Sequence, residues 1–185
     1  MSRSLVYLVA STVDGFIAGA DGATDMFSFE GPQVPDLLGE FPETIPGHLR
    51  GPLGIEGRSR RFDAVLMGRA TYDVGGALGV TSPYPHLRQI VVSTSFDDTP
   101  DPAVELVSGD PVGRVQALTA ESGGDVWLCG GGRPAATLAD QIDELIHKVT
   151  PVVIGTGLPL FAGGGRRDLV LSDHRVYPVG SWCLG

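Results

Sequence analysis

The 185-residue sequence has only two cysteines, Cys129 and Cys183. Two thiols build neither a disulfide framework nor a four-ligand zinc site. Positive charge is also scarce: 13 Lys and Arg stand against 22 Asp and Glu, a net charge of −9. Such a balance repels phosphate backbones and disfavours nucleic-acid binding as the main role. Long apolar runs are missing, since no stretch approaches the roughly 18 residues of a membrane span. The apolar run within MSRSLVYLVASTVDG is too short for a secretory signal, and no small-residue cleavage site follows it. The expectation is therefore a soluble, cytoplasmic chain. None of the four histidines, His48, His86, His147 and His174, sits in an H-x-E pattern, and no P-C-x-x-C exists. That combination excludes a zinc deaminase. Neither G-x-G-x-x-G nor G-K-[ST] occurs, so there is no dinucleotide fingerprint and no P-loop.

What the chain has is a globular composition, 42% hydrophobic and 19% charged, at a length that favours one domain over residues 1–185. Short β-branched runs predict strands over 5–10, 64–67, 89–93, 104–107, 125–129, 145–154 and 168–177. The first five are nearly continuous apolar runs rather than alternations, which is the pattern of strands covered on both faces in a mostly parallel α/β sheet. Helices fit the gaps over 110–122, where Asp110 precedes Pro111, over 134–139 and over 70–77. Between Asp21 and Arg61, five prolines prevent one long helix. Loops with short helices near 35–40 and 55–61 are expected there, and this is the best candidate for a substrate-facing segment.

Glycine is the abundant residue, 27 in all, about twice the usual share of roughly 7%. The strongest local signal is DVWLCGGGRPAATL, residues 125–138: strand, three glycines, helix start. Glycine lets backbone N–H groups approach a phosphate, although an ordinary strand-to-helix turn has the same look. AVLMGRATYD, residues 64–73, repeats the arrangement with Arg69 at the turn, a side chain suited to paired bonds with phosphate. IVVSTS, residues 90–95, ends a strand in hydroxyls that either hold a phosphate or cap a turn. Three such turns at carboxyl ends of strands say more together, because ligands of open α/β sheets bind there.

These residues, with STVDGFIA at 11–18, CGGGR at 129–133 and DEL…PVVIGTGLPLF at 143–161, resemble the dihydrofolate-reductase-like superfamily. Within it the chain is most similar to the C-terminal reductase domain of riboflavin-biosynthesis deaminase–reductases and its stand-alone relatives. The resemblance runs from Leu5 to Tyr177. It implies a three-layer α/β fold with a mostly parallel mixed sheet of about eight or nine strands, an NADPH site and a homodimer paired through C-terminal strands. It implies that Gly68, Arg69 and Thr71 line the cofactor's phosphates, with Arg69, Ser93 and Thr94 around the 2′-phosphate. Gly130, Gly131, Gly132, Arg133 and Pro134 would wrap the pyrophosphate, with a cis peptide between two of these glycines. Val9 and Ala10 would face the nicotinamide carboxamide, and Ile17 its ring.

Dihydrofolate reductases hold their pteridine with a carboxylate on the helix after a Pro-Trp, and here Met26 stands where relatives often carry Trp. Glu30 is the nearest carboxylate and the candidate catalytic acid. Asp14, in an Asp-Gly after the first strand, fits turn chemistry. Of His147 and Lys148, alternation puts only one toward the site. Cys129 ends a buried strand and reads as a packed thiol. A riboflavin-pathway substrate would need a phosphate anchor, for which Arg50, Arg58, Arg60 and Arg61 are candidates. Phe27, Phe29 and Phe41 are available to stack on a flat heterocycle. The apolar tail residues Val179, Trp182 and Leu184 suit an interface. The function expected is an NADPH-dependent reduction of a pyrimidine- or pteridine-like heterocycle. The alternative is a nucleotide-binding or regulatory protein that keeps the cradle without catalysis.

Overall fold

The computed structural model describes residues 3–28, 30–96, 101–178 and 182–184. Its centre is a sheet of eight strands. Six of them are mutually parallel: β1 (Leu5–Thr12), β3 (Phe62–Gly68), β4 (Arg88–Val92), β5 (Val104–Val107), β6 (Asp125–Leu128) and β7 (Glu144–Thr150). Across the sheet they run β5-β4-β3-β6-β1-β7, and β1 sits between β6 and β7. Two three-residue strands, β9 (His174–Val176) and β10 (Trp182–Leu184), continue the sheet beyond β7 in antiparallel fashion. A separate antiparallel pair joins β2 (Phe16–Ala18) to β8 (Leu158–Pro159).

The unbroken apolar runs are buried on both faces, as that pattern demands. On one face Leu5, Tyr7, Leu66, Ile90 and Leu128 pack with Val115 and Leu118 of α4 (Pro111–Ala120) and Ala135 of α5 (Gly132–Thr137). On the other, Val6, Phe62, Val65, Met67 and Trp127 pack with Tyr72 of α3 (Arg69–Ala77) and with Phe41. Asp110 caps α4 by accepting from the Gly113 N–H at 2.9 Å, and Pro111 occupies the first turn.

Three expectations are corrected. No helix forms over 55–61, where Gly54 and Gly57 take positive φ of 65° and 146°. The chain is held there instead by the fully buried Glu43, whose carboxylate accepts from the N–H groups of Arg60, Arg61 and Phe62 at 2.8–3.1 Å. The short helix of this segment is α2 (Gly47–Arg50), after the expected helix near 35–40, which is α1 (Gln33–Glu40). The strand expected over 145–154 stops at Thr150, and that over 168–177 shrinks to β9, because residues 166–173 run outside any regular element.

Candidate functional site

A cleft of about 600 Å³ opens on the face of the sheet covered by α1 and α3. The carboxyl ends of β1, β3 and β6 build one end of it. There the two glycine turns meet: the Gly68 N–H donates to the Gly130 carbonyl at 3.2 Å. A Cβ on Gly68 would sit 2.8 Å from Pro134 Cγ, so this close approach requires glycine. Gly130 has φ of 105°, and the Gly130–Gly131 peptide is cis, within the expected trio. Thr71 stands across from the turn, its Oγ1 3.9 Å from where side chains on Gly130 and Gly131 would begin. Val9, Ala10, Ile17, Thr71, Gly130 and Gly131 all line the cleft.

The other anticipated cofactor residues are not among those lining the cleft. The Arg69 guanidinium donates to Ser95 Oγ at 2.7 Å and to Asp73 at 3.2 Å, and lies 4.4 Å over the Phe96 ring. Ser93 Oγ is 3.3 Å from Ser95 Oγ, and Thr94 is exposed between them. Arg69, Ser93, Thr94 and Ser95 thus form one cationic, hydroxyl-rich cluster. Gly132, Arg133 and Pro134 open α5, with Arg133 exposed.

The other end of the cleft gathers Phe27 and Phe41, two of the three phenylalanines offered for stacking on a ring, with residues that local sequence did not reveal. Phe27, Leu37, Phe41, Tyr84, Trp127 and Ile146 give it an apolar, aromatic wall. Tyr84 and Trp127 meet edge to face at 5.1 Å, and the Trp127 indole N–H donates to the Leu8 carbonyl at 3.1 Å. Asp36 and Glu40, one turn apart on α1, also line the cleft. Tyr177 donates its hydroxyl to Asp36 at 2.9 Å, and Arg175 pairs with Glu40. Nothing local in the sequence signals these two contacts, which join positions more than 130 apart.

Glu30 lies elsewhere: it is exposed and outside the cleft lining, with its N–H bonded to Ser28 Oγ. The carboxylates that α1 turns to the cleft are Asp36, six residues further along the chain, and Glu40. Asp14 ties a turn, accepting from the Gly155 N–H at 2.7 Å. A hydrogen bond from Thr12, with those from the Gly155 and Ile154 N–H groups, holds its carboxyl below the usual range. Lys148 lines the cleft, whereas His147 faces away and bonds Ser11 Oγ at 2.6 Å. Cys129 is half-buried and lines the cleft, with its Sγ 3.7 Å from the Tyr84 hydroxyl, and burial pushes its thiol up to about 12. Arg61 lines the cleft but Arg50, Arg58 and Arg60 do not. Phe29 and Val179 lie outside the described residues.

The family model for the RibD C-terminal domain matches residues 3–183. The chain belongs to that family. Its curated relatives include the Bacillus subtilis (strain 168) protein YwjB, itself described as uncharacterized, at 30% identity over 87% of this chain and 84% of YwjB. A putative riboflavin biosynthesis protein from Shewanella sp. PV-4 shares the fold with a TM-score of 0.72, at 22% identity over 98% and 97% of the two chains. The Thermotoga maritima diaminohydroxyphosphoribosylaminopyrimidine deaminase/5-amino-6-(5-phosphoribosylamino)uracil reductase aligns with a TM-score of 0.62 and 17% identity. This chain, 99% covered, spans 56% of that protein. Dihydrofolate reductase from Enterococcus faecalis, solved with NADP(H) and RAB-propyl, gives 0.63 at 17% identity over 100% and 96%. The dihydrofolate-reductase-like fold of this family member is thereby established.

Proposed function

We propose that this family member is a cytoplasmic, NADPH-dependent reductase that delivers a hydride to a small planar nitrogen heterocycle. The observation that carries this reading is the junction of the two glycine turns, which leaves bare backbone facing a cleft whose far end is aromatic. The donor chemistry fits the cofactor. Gly68, Thr71, Gly130, Gly131, Gly132, Arg133 and Pro134 offer backbone and hydroxyl groups to a pyrophosphate. Arg69, Ser93 and Thr94 offer a cation and hydroxyls to a 2′-phosphate. Val9 and Ala10 present β1 backbone, and Ile17 an apolar contact, where a nicotinamide would lie. When bound, the cofactor supplies the hydride. The chain's part is to hold donor and acceptor together and exclude water. The α1 carboxylates of Asp36 and Glu40, exposed like Glu30 but lining the cleft, are the ones that would face an acceptor.

Fluorescence titration with NADPH and NADH tests the cofactor half. Arg69→Ala should weaken NADPH by roughly 1.5–3 kcal/mol, the worth of a charge-assisted bond, and NADH far less. Equal losses would remove Arg69 from the 2′-phosphate. NADPH that binds without turnover against pteridines, aminopyrimidines and diketones would favour a binding protein over an enzyme.

The same reading includes a homodimer. β10 covers the edge of β7, so the chain's own tail does what a partner's strand was expected to do. The outer edge is then β9, preceded by Leu169, Val170 and Leu171, all strongly exposed. An apolar patch beside an open edge is the kind of surface a second copy covers. Light scattering should give twice the 19.3 kDa chain mass, and a monomer at micromolar concentration would end this part of the proposal.

A further inference from the structure

On the reading that the cleft binds a hydride acceptor beside NADPH, we infer that the acceptor carries no phosphate: it is an uncharged or cationic planar heterocycle. The inference rests on where the cations near the aromatic end are spent. Arg61 is bound to Asp125 at 2.9 Å and to Glu144 at 2.5 Å. Arg175 is paired with Glu40. Arg50 donates to the carbonyls of Pro42 and Gly57 at 2.6 and 2.9 Å, and Arg60 to the carbonyl of Gly39. A phosphate that recruited Arg61 or Arg175 would strand the carboxylate that arginine now neutralises, beside the incoming charge.

The field of the lining points the same way. Four carboxylates, Asp36, Glu40, Glu144 and Asp173, face the cleft against three cations, Arg61, Arg175 and Lys148. Asp36 is met by the neutral Tyr177 hydroxyl rather than by a cation, so its charge is not cancelled by that bond. The Lys148 amine is itself directed to the Ser28 carbonyl at 3.5 Å. Between these charges Phe27, Phe41, Tyr84 and Trp127 offer ring faces that suit a flat heterocycle, while the hydroxyls of Thr24, Ser28, Thr44 and Ser172 bring no positive charge to offset a phosphate. The contrast with the cofactor end lies in Arg61: it is held between two carboxylates at 28% side-chain exposure, whereas Arg69 has hydroxyls and a single exposed acid as neighbours.

The test is equilibrium binding to NADPH-saturated protein of matched probes: 5-amino-6-(ribosylamino)uracil, its 5′-phosphate, and an unphosphorylated pteridine. The 5′-phosphate should bind at least about tenfold more weakly than its unphosphorylated counterpart, because like-charge contacts oppose it. Glu40→Gln, which releases Arg175, should narrow that gap. Tighter binding of the 5′-phosphate overturns the inference, as does NADPH-bound protein that takes up neither unphosphorylated ring. Failure of NADPH itself to bind overturns the underlying reading of the cleft, and the inference with it.

Discussion

The two ends of the cleft are built on different principles. The glycine-turn end rises from the carboxyl ends of parallel strands whose side chains are wholly buried, Leu66 and Leu128 among them. Its turns are joined backbone to backbone. The other end joins an aromatic wall to a clasp between α1 and the segment around β9, where the contacts are polar: Asp36 with Tyr177 and Glu40 with Arg175. One end is rigid because the core dictates it. The other is held by groups that water and salt compete for. A fold shared at low sequence identity can therefore keep its core-built end while surface substitutions rewrite the clasp.

The largest expected effect breaks the comparison at its core. Leu66→Ala should cost about 2–5 kcal/mol in urea unfolding, through lost burial and the cavity left behind. Val170, 91% exposed in the tail segment, should change monomer stability by less than about 0.5 kcal/mol when made Ala. Comparable losses at the two positions would mean that the tail belongs to the core, and the division drawn here would fail.

A second, smaller effect is a pH dependence carried by two imidazoles. Burial holds His147, bonded to Ser11, and His86, bonded to the Glu43 carbonyl, below their ordinary value. The unfolded chain therefore takes up protons near its own pKa of about 6.5 that the folded chain refuses. Their contribution is complete above that pH and is lost as pH falls below it, toward the folded values. The urea midpoint should drop between pH 7 and pH 5, and His147→Gln should flatten that part of the curve. A midpoint unchanged over this window, with carboxylates titrating only at lower pH, would contradict the burial of these rings.

The same division explains what the sequence disclosed. The turns at Gly68 and Gly130–Gly132 were legible because strand, glycine and helix start lie within a few residues. Asp36 was not, because its role depends on Tyr177, 141 residues away. Glu30 looked suitable from its spacing to Met26, but α1 starts at Gln33 and passes through Pro35 in its first turn, where a missing N–H costs nothing. That shift carries the carboxylate facing the cleft to Asp36. The absent helix over 55–61 has a similar cause: Glu43, a residue with no motif around it, satisfies backbone N–H groups that a helix would otherwise have used. β10 turning back onto β7 also joins segments more than 30 residues apart, with no local mark in either.

The removal of a single hydroxyl sharpens the comparison most. Tyr177→Phe removes only the hydroxyl that bonds Asp36 at 2.9 Å, at the surface, and leaves the ring. A hydrogen bond in that setting contributes less than about 1 kcal/mol, so the melting temperature should barely move. Heterocycle binding should respond, because the hydroxyl fixes the direction of a carboxylate that lines the pocket. A double-mutant cycle with Asp36→Asn separates the two possibilities. Coupling that appears in ligand affinity but not in urea unfolding assigns the clasp to recognition. Coupling of equal size in both would make it an ordinary structural contact, and the polar end of the cleft would then be built on the same principle as the core.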